Sequence, residues 1–377
     1  MKFIEDFNPE IIVESPGRIN LIGEHTDYNL GLVLPTAIDK KITLKLRKNG
    51  DLTSCKIYSV NNNQILELCL EKIEKSDINW ENYILGVLDE LQKLNCSITG
   101  FDCIIQSDLP IGSGLSSSAA LECGLASGLN TLFNLKLSKN TIVTLSRAAE
   151  HNFVGTKCGI MDQYASVMSR SGFVIMLDCR NLEANFIPLN LNDYQLLLLN
   201  TNVSHSLADS EYNTRLYDCE AGLKIIQKNY PNIQSLRDVS FDMLRASKEI
   251  MSTTIYGRCE YILEENARVV EASKALKNND LELLGKLIYD SHEGLQYKYE
   301  VSCSELDFLV EFSRDKNYIL GSRMMGGGFG GCTINLIHKD AIPSYKSEVS
   351  KAYQQKFNLN LDIYTAMPSE GTKIKIV

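Results

Sequence analysis

Apolar and polar residues alternate along short segments of the chain, which predicts strands with one buried face. The alternation is clear at residues 42–46 and again at 101–107. The Asn-Gly-Asp sequence at 49–51 predicts a hairpin turn from the first of these strands into the next strand. Continuous apolar runs at 173–177 and 195–200 are typical of short buried strands.

Other segments carry apolar residues at helical spacing. One helix is predicted where Leu121, Leu125, Leu129 and Leu132 share a face, and a second over residues 141–153. Further helices are predicted around 215–227 and 258–276, and a glycine-dense turn leads into a strand at 332–337. Because strands and helices are mixed in both halves, the predicted fold class is α+β.

The length of 377 residues exceeds what one ordinary hydrophobic core requires, which favours two domains. Between 186 and 193 the pattern is broken by Pro188 and a run of polar residues. The boundary is therefore placed there, which gives an N-terminal domain of residues 1–188 and a C-terminal domain of residues 189–377.

Composition excludes several classes of function. A net charge of −9 argues against nucleic acid or an anionic membrane as the main partner. The N-terminus has no apolar signal region, and no run approaches the ~18 apolar residues of a membrane span. Eleven cysteines without a Cys-x-x-Cys pair indicate buried thiols in the cytoplasm, Cys103, Cys123 and Cys332 among them. The five histidines do not have zinc-ligand spacing.

The densest polar segment is residues 17–29, Gly-Arg-Ile-Asn-Leu-Ile-Gly-Glu-His-Thr-Asp-Tyr-Asn. It brings Arg18, Glu24, His25 and Asp27 into one short stretch between apolar runs. Each hydroxyl of a sugar both donates and accepts hydrogen bonds, so sugar recognition needs such converging side chains. The alternative is a solvated turn closed by its own side-chain hydrogen bonds.

A glycine- and serine-rich loop at 110–120 lies between a predicted strand and a predicted helix. Gly112 and Gly114 allow positive φ and close approach of a ligand, and three serines precede the helix. Free amides and the helix dipole make this an anion site, most simply for nucleotide phosphates. It lacks the lysine of the Walker loop and the third glycine of the dinucleotide fingerprint. The alternative is an ordinary turn with an N-capping serine.

Two further segments are candidates. Five glycines around Phe329 at 326–331 precede a strand, which excludes a dinucleotide-binding turn. The pattern favours backbone lying against a ligand, and a tight interdomain turn is the alternative.

Asp162, in Cys-Gly-Ile-Met-Asp-Gln, is expected near the start of a helix. There it either complements the helix dipole or faces a site.

Together, these segments resemble the GHMP family of small-molecule kinases, and within it the members that phosphorylate galactose. The polar segment is similar to the sugar motif of those members, whereas the loop at 110–120 and the turn at 326–331 are similar to motifs shared by the whole family. The three motifs follow the family's order and span the chain from Pro16 to Ile337. The resemblance implies a two-domain α+β fold with the active site in the cleft between the domains.

The resemblance also implies roles for individual residues. Arg18 and Asp162 correspond to the catalytic pair. The substrate-binding set is Arg18, Glu24, His25, Asp27, Gly159, Asp162 and Tyr212. The ATP-binding set is Gly112, Ser113, Gly114, Leu115, Ser116, Ser117 and Ser118. Ser118 and Glu150 correspond to the Mg²⁺-associated pair, and Ser204 stands where some relatives carry a basic residue.

The implied activity is transfer of the γ-phosphoryl group of ATP to the C1 hydroxyl of α-D-galactose, with Mg²⁺, by a monomer. Two alternatives remain. One is a kinase of the same family for another monosaccharide, such as N-acetylgalactosamine. The other is a catalytically silent galactose-binding regulator, which the complete serine stretch of the loop and the presence of Asp162 disfavour.

Overall fold

The computed structural model describes residues 7–110, 112–203 and 208–377, and combines three sheets with surrounding helices. The strands are β1 Ile11–Asn20, β2 Leu32–Val33, β3 Pro35–Lys48, β4 Ser54–Ser59, β5 Gln64–Cys69, β6 Phe101–Ser107, β7 Phe173–Asp178, β8 Glu183–Pro188, β9 Tyr194–Asn200, β10 Ile319–Met324, β11 Cys332–His338, β12 Asp362–Ala366 and β13 Lys373–Ile376. The helices are α1 Asn79–Lys93, α2 Ser117–Leu132, α3 Lys139–Ala149, α4 Met161–Met168, α5 Ala208–Gln227, α6 Phe241–Ala246, α7 Thr253–Lys277, α8 Leu281–Tyr297, α9 Ser304–Arg314 and α10 Ile342–Phe357.

A six-stranded sheet with the order β13-β1-β3-β6-β4-β5 forms the first layer. Its neighbouring strands are antiparallel except for β4 and β6, which are parallel. The alternating residues Ile42, Leu44 and Leu46 of β3 are buried, as the pattern predicted. The long strand β1 delivers Arg18 to one end of this sheet, where the candidate site lies.

The predicted hairpin at 49–51 is wrong, because β6 lies between β3 and β4. The loop crosses the start of β6 instead: the Asn49 amide donates to the Gly100 carbonyl, and the Gly100 amide donates to the Asp51 carbonyl. A Cβ on Gly100 would lie 2.6 Å from the Ser54 carbonyl oxygen. A glycine at the head of β6 therefore permits the crossing.

Helix α2 packs closely against the six-stranded sheet because two glycines face it. A Cβ on Gly124 would lie 2.7 Å from the Leu44 side chain, and one on Gly128 would lie 3.0 Å from Leu46. The leucine face predicted for this helix is buried in the same core. This packing fixes the N-terminus of α2, and therefore the glycine–serine loop before it, relative to β1.

Two antiparallel sheets complete the fold. The order is β10-β11-β9-β12 in the four-stranded sheet and β2-β7-β8 in the three-stranded sheet. The strands predicted at 173–177, 195–200 and 332–337 are β7, β9 and β11, and the helices predicted around 215–227 and 258–276 are α5 and α7. Cys103, Cys123 and Cys332 are buried free thiols, as predicted.

The helix predicted over residues 141–153 is confirmed only in part. Helix α3 ends at Ala149 and continues as one π-helical turn, Glu150–Val154. A π turn inserts one extra residue into the helical register and occurs frequently at functional sites. Here it holds Glu150 buried beside the candidate site.

The mixture of sheets and helices confirms the α+β class. The boundary after residue 188 stays a prediction; the last strand, β13, crosses it by pairing antiparallel with β1. Within the described ranges, no helix has the length and apolar character needed to cross a membrane.

Candidate active site

A cavity of about 120 Å³ lies at the end of β1, and both halves of the chain contribute to its wall. Its lining residues are Arg18, Glu24, His25, Asp27, Glu150, Thr156, Cys158, Met161, Asp162, Tyr212, Gly326 and Gly327. Six of the residues predicted for substrate binding are therefore neighbours in space. The seventh, Gly159, packs against one of them.

Arg18 and Asp162 form the centre of this cavity. The Arg18 Nε and Nη2 atoms donate to the two carboxylate oxygens of Asp162 at 2.7 and 2.9 Å. Arg18 Nη1 donates to the Gly114 carbonyl at 2.7 Å, and the Ser116 hydroxyl donates to Asp162 at 2.5 Å. Asp162 is the second residue of α4, near a helix start as predicted. The Arg18–Asp162 ion pair therefore joins strand β1 to the glycine–serine loop.

Ser116 does not cap the helix that it precedes. It has left-handed backbone geometry (φ +60°), and its side chain makes no capping bond to α2. Its hydroxyl donates a hydrogen bond to Asp162 instead. Since no side chain of the N-cap residue occupies the first turn of α2, its amides and dipole remain available to an anion. The N-capping alternative for this loop is therefore wrong.

The loop that carries Glu24, His25 and Asp27 is anchored to α7. The Glu265 carboxylate accepts from the Gly23 amide at 2.8 Å, and the Asn266 side chain accepts from the Leu32 amide at 2.8 Å. Tyr261 donates its hydroxyl to the Glu24 carbonyl at 3.0 Å. These buried bonds hold the motif as a fixed loop, so it is not a solvated turn.

Glu24 is held by a buried arginine that was not among the residues predicted from the sequence. Glu24 Oε1 accepts from the Gly326 amide at 3.0 Å and from Arg323 Nη2 at 3.1 Å. Arg323 is fully buried and also donates to the carbonyls of Asn20 and Leu21. In the sequence, the only indication of this role was that Arg323 is a charged residue next to apolar residues just before the glycine turn.

Asp27 is packed against Gly159. A Cβ on Gly159 would lie 1.9 Å from Asp27 Oδ2, so no larger residue fits while Asp27 keeps its position. Asp27 Oδ1 accepts from the Tyr28 amide at 2.9 Å. Burial, reinforced by the charge of Asp162, raises the pKa of Asp27 to about 7. Gly159 therefore supports the shape of the cavity through Asp27.

His25 lies among three tyrosine rings. The ring centroids of Tyr299, Tyr212 and Tyr28 lie 4.9, 5.3 and 5.7 Å from that of His25. Burial, together with the positive charge of Arg215, lowers the pKa of His25 to about 3. The imidazole is therefore neutral at physiological pH, with one donor and one acceptor nitrogen.

A cluster of acids lies behind Asp162. The Glu150 carboxylate accepts from Gln163 at 2.8 Å and from the Ser118 hydroxyl. Burial and the charge of Asp162 raise the pKa of Glu150 to about 7. Glu122, one helical turn after Ser118, is fully buried beside Glu150, and burial raises its pKa well above the ordinary range. Glu122 was not predicted; a lone acid in an apolar helix was the signal.

The acid cluster is not a complete metal site by itself. Among residues 7–110, 112–203 and 208–377, no three or more His, Cys, Asp and Glu side chains are grouped to hold a metal ion. The Glu122 oxygens make no well-aligned hydrogen bond within the described chain. The site therefore offers hard oxygen atoms but not a full coordination sphere.

A second cavity, of about 280 Å³, opens beside the start of α2. Its lining includes Trp80, Tyr83, Asn62, Ser117 and Ser118. The two aromatic residues, on α1, were not predicted as site residues. Their position beside the serines places an aromatic surface next to the start of α2.

The glycine turn at 326–331 packs against the glycine–serine loop and also forms part of the first cavity. A Cβ on Gly326 would lie 3.3 Å from the Gly114 carbonyl oxygen, and one on Gly331 would lie 3.4 Å from that of Ser113. Gly326 and Gly327 line the cavity. The turn therefore both packs against the glycine–serine loop and lines the first cavity.

Not all residues of the predicted ATP-binding set face a cavity. The Leu115 side chain is buried in the core, and its carbonyl accepts from the Arg18 amide at 3.1 Å. The Ser113 hydroxyl donates to the Pro110 carbonyl at 2.7 Å. Gly112 is exposed and lines neither cavity, whereas Ser117, also exposed, lines the second cavity. Ser204 lies outside the described residues.

Comparison with known proteins agrees with this geometry. Residues 1–48 match the galactokinase galactose-binding signature, 82–170 the GHMP kinase N-terminal domain and 272–355 the GHMP kinase C-terminal domain. The chain is 44% identical to a galactokinase of Thermosipho africanus, over 96% of this chain and 99% of the relative. It is 42% identical to a galactokinase of Thermotoga maritima, over 96% and 99% of the two chains.

Solved structures share the same architecture. The crystal structure of Lactococcus lactis galactokinase complexed with galactose superposes with a TM-score of 0.94 at 35% identity, covering 99% of this chain and 97% of that chain. A mevalonate kinase at 22% identity, with a TM-score of 0.63 over 95% and 99% of the two chains, shares the fold. The chain therefore belongs to the GHMP kinase family, and within it to the galactokinases.

Proposed function

We propose that this protein transfers the γ-phosphoryl group of ATP to the C1 hydroxyl of α-D-galactose, giving galactose 1-phosphate and ADP. The observation that carries the proposal is the junction of Arg18, Asp162 and Ser116. It lies where the small polar cavity meets the glycine–serine loop. A sugar in the cavity and a phosphate at the loop would therefore meet at these side chains.

Asp162 acts on the attacking hydroxyl. Its carboxylate lines the cavity, and it can accept a hydrogen bond from the C1 hydroxyl and then its proton. Arg18 holds both carboxylate oxygens, which fixes the direction in which Asp162 presents them. Because phosphoryl transfer passes through a loose transition state, such positioning supplies much of the catalysis.

Arg18 also supports the transferred group. Its guanidinium is bonded to the Gly114 carbonyl within the loop, so its charge lies between the two substrates. Burial acts to lower the pKa of Arg18, but the charges of Asp162 and Glu24 outweigh it and raise the pKa above its ordinary value. A permanent positive charge there stabilises the negative charge on the moving phosphoryl oxygens.

The cavity selects the sugar by combining acceptors with a few donors. Glu24 and Asp27 offer carboxylate oxygens to sugar hydroxyls, whereas His25 and Tyr212 offer polar hydrogens. Tyr212 is half-buried and the other three side chains are buried, so a sugar that lacks a matching hydroxyl would leave a polar group unpaired. The volume of about 120 Å³ suits a single sugar ring without large substituents.

ATP is held by backbone and aromatic groups. The free amides at the start of α2 and the positive end of its dipole attract the phosphates. Trp80 and Tyr83 line the adjoining cavity and provide stacking surfaces for the base. Gly112, Gly114, Ser116, Ser117 and Ser118 are the residues of the predicted set that adjoin this path.

The oxygen atoms of Ser118 and Glu150 fit Mg²⁺. Magnesium usually keeps several waters and takes one or two carboxylates together with substrate phosphates, so a site without three protein acids is suitable. Burial and the charge of Asp162 raise the pKa of Glu150, and a nearby dication would offset both effects. When bound, Mg²⁺ neutralises charge on the phosphates.

An ADP-release assay over a panel of monosaccharides, with ATP and Mg²⁺, tests the proposal. Galactose is expected to be phosphorylated at C1 and to be strongly preferred to glucose. Turnover of N-acetylgalactosamine alone, or equal turnover of galactose and glucose, would contradict the substrate assignment. Galactose binding without any turnover would identify a silent regulator.

We also infer a monomer that acts in the cytoplasm. The eleven cysteines are all free, which suits a reducing compartment. Sedimentation of the purified protein is expected to give one species of 42.3 kDa, and a concentration-dependent larger species would contradict the monomer.

A further inference from the structure

A chain of buried hydrogen-bonding side chains extends from His25 away from the cavity. His25 Nδ1 lies 2.7 Å from the Tyr28 hydroxyl, which lies 2.7 Å from the Tyr299 hydroxyl. The Tyr299 hydroxyl in turn lies 3.2 Å from the thiol of Cys219. We call His25, Tyr28, Tyr299 and Cys219 the His25 relay.

The relay joins parts of the chain that are remote in sequence. Tyr28 belongs to the loop after β1, Cys219 to α5, and Tyr299 to the segment after α8. His25, Tyr299 and Cys219 are buried, and Tyr28 is partly buried. Arg215 holds the Tyr299 backbone by donating to its carbonyl at 3.0 Å. The positions of the relay atoms are therefore set by the fold and not by solvent.

The other ring nitrogen, His25 Nε2, is buried and makes no well-aligned hydrogen bond within the described part of the chain. His25 lines the cavity together with Gly327. Burial lowers the pKa of the imidazole, and an interaction with the Gly327 carbonyl opposes that shift. Because Nδ1 already meets the Tyr28 hydroxyl, this carbonyl acts on Nε2. A carbonyl oxygen attracts an N–H group and repels a bare nitrogen lone pair. The surroundings of Nε2 therefore favour the tautomer with hydrogen on Nε2.

We propose that Tyr28 and Tyr299 are positioning residues that keep hydrogen on His25 Nε2, so that this atom donates to a sugar hydroxyl. In this arrangement Cys219 donates to Tyr299, Tyr299 donates to Tyr28, and Tyr28 donates to Nδ1. The hydrogens of Cys219, Tyr299 and Tyr28 then each have an acceptor within the relay, and the Nε2 hydrogen stays free for a ligand. In the reverse arrangement the thiol would be the final acceptor, and a bare Nε2 would face the Gly327 carbonyl.

The tautomer matters because the cavity is rich in acceptors. Glu24, Asp27 and Asp162 offer carboxylate oxygens, and Arg18 already donates to Asp162 and to the loop. A donor at His25 completes the pattern that a hydroxyl requires, since a hydroxyl both donates and accepts. This role rests on the proposed sugar-kinase function, whereas the tautomer itself does not.

Nitrogen-15 NMR of the unliganded protein, labelled at histidine, tests the tautomer directly. The parent is expected to show a protonated Nε2 and a bare Nδ1 for His25, with His25→Gln identifying the signals by their loss. Tyr28→Phe is expected to move the Nδ1 signal and mix the tautomers. Tyr299→Phe, which leaves Tyr28 in place, is expected to produce a smaller change in the same direction.

Tyr345→Phe is the matched control, because Tyr345 is also fully buried and its hydroxyl bonds to Ser313 in a separate core. It is expected to leave the His25 signals unchanged. Galactose affinity, measured by calorimetry, is expected to fall about tenfold in Tyr28→Phe, the scale of one lost hydrogen bond, and to be unchanged in the control.

A protonated Nδ1 in the parent would overturn the proposal. So would His25 signals that stay unchanged in both Tyr28→Phe and Tyr299→Phe. Because the NMR experiment contains neither sugar nor ATP, its result is independent of catalysis. If the parent protein carries hydrogen on Nε2 but does not phosphorylate galactose, the proposed function is refuted and the role of the His25 relay is still supported.

Discussion

The first cavity and the glycine–serine loop, which meet at Arg18, are built in different ways. In the first cavity, side chains provide the polar groups, and neighbouring residues fix two of them: Arg323 holds Glu24, and Gly159 packs against Asp27. The glycine–serine loop relies on backbone instead. Gly112 has φ +69° and open space around it, and the start of α2 has no side-chain cap.

The difference reflects what each ligand requires. Discrimination between sugar epimers depends on hydroxyl positions, so the polar atoms must be held at fixed distances. A phosphate accepts hydrogen bonds from any well-directed amide, so a helix N-terminus and room for approach are sufficient. This explains why the sugar segment is the specific motif, whereas the loop is shared by kinases with other substrates.

The largest effect is expected where the two regions meet. Asp162→Asn keeps the size of the side chain but removes the charge that pairs with Arg18. Turnover is expected to fall by at least ~100-fold, the scale of a lost acid–base group. Galactose affinity should be largely retained, which steady-state kinetics and calorimetry measure together.

Asp102→Asn is the control for the loss of a paired carboxylate. Asp102 accepts two hydrogen bonds from Arg47 on the six-stranded sheet, away from both cavities. Its substitution is expected to lower stability without lowering turnover. Near-native turnover in Asp162→Asn would remove Asp162 from the proposed mechanism.

A substitution at Gly159 tests whether galactose binding requires Asp27 to keep its position in the first cavity. Gly159→Ala would place a methyl group where Asp27 now lies, so the carboxylate must move. Galactose affinity is expected to fall by about 10- to 100-fold, as for a lost hydrogen bond to a charged group, with ATP affinity unchanged. In Gly257→Ala, an added Cβ makes only an ordinary 3.5 Å contact, so both affinities should persist. Equal loss of both ligands in Gly159→Ala would indicate general distortion.

The smallest effect is expected at the loop. Gly112→Ala is expected to weaken ATP binding about tenfold because the new methyl group occupies space left for phosphate. Gly50→Ala shares the positive φ and the open surroundings but lies in a remote turn. Both variants should lose about 1 kcal/mol of stability from the left-handed backbone, measured by thermal melting. If ATP binding is unchanged in Gly112→Ala, the phosphates do not approach this residue.

Local patterns predicted much of this structure. Alternation identified β3 and β6, helical spacing identified α2 and α7, and the polar density at 17–29 identified the loop that lines the first cavity. The strands and helices among these features are visible in short stretches of sequence, because burial of one face of each element requires apolar residues at a fixed spacing. The hairpin error came from a feature without a local signal, the insertion of β6 between two consecutive strands.

The supporting residues were harder to predict because their partners are distant in sequence. Arg323 reaches Glu24, and Tyr299 reaches Tyr28, across roughly three quarters of the chain. Neither contact leaves a periodicity or spacing that a single sequence can display. Arg18 and Asp162, which are also distant, were paired only through resemblance to a family.

The pairing of β13 with β1 has a consequence for synthesis of the chain. Ile11 lies opposite Ile376, so the outer edge of the strand that carries Arg18 is closed by residues that are translated long after it. At roughly 5 to 20 residues per second, that edge stays open on the ribosome for roughly 20 to 70 seconds. An open edge is a template for mispairing with other chains, so slower translation of the residues between β1 and β13 should reduce the yield of correctly folded protein.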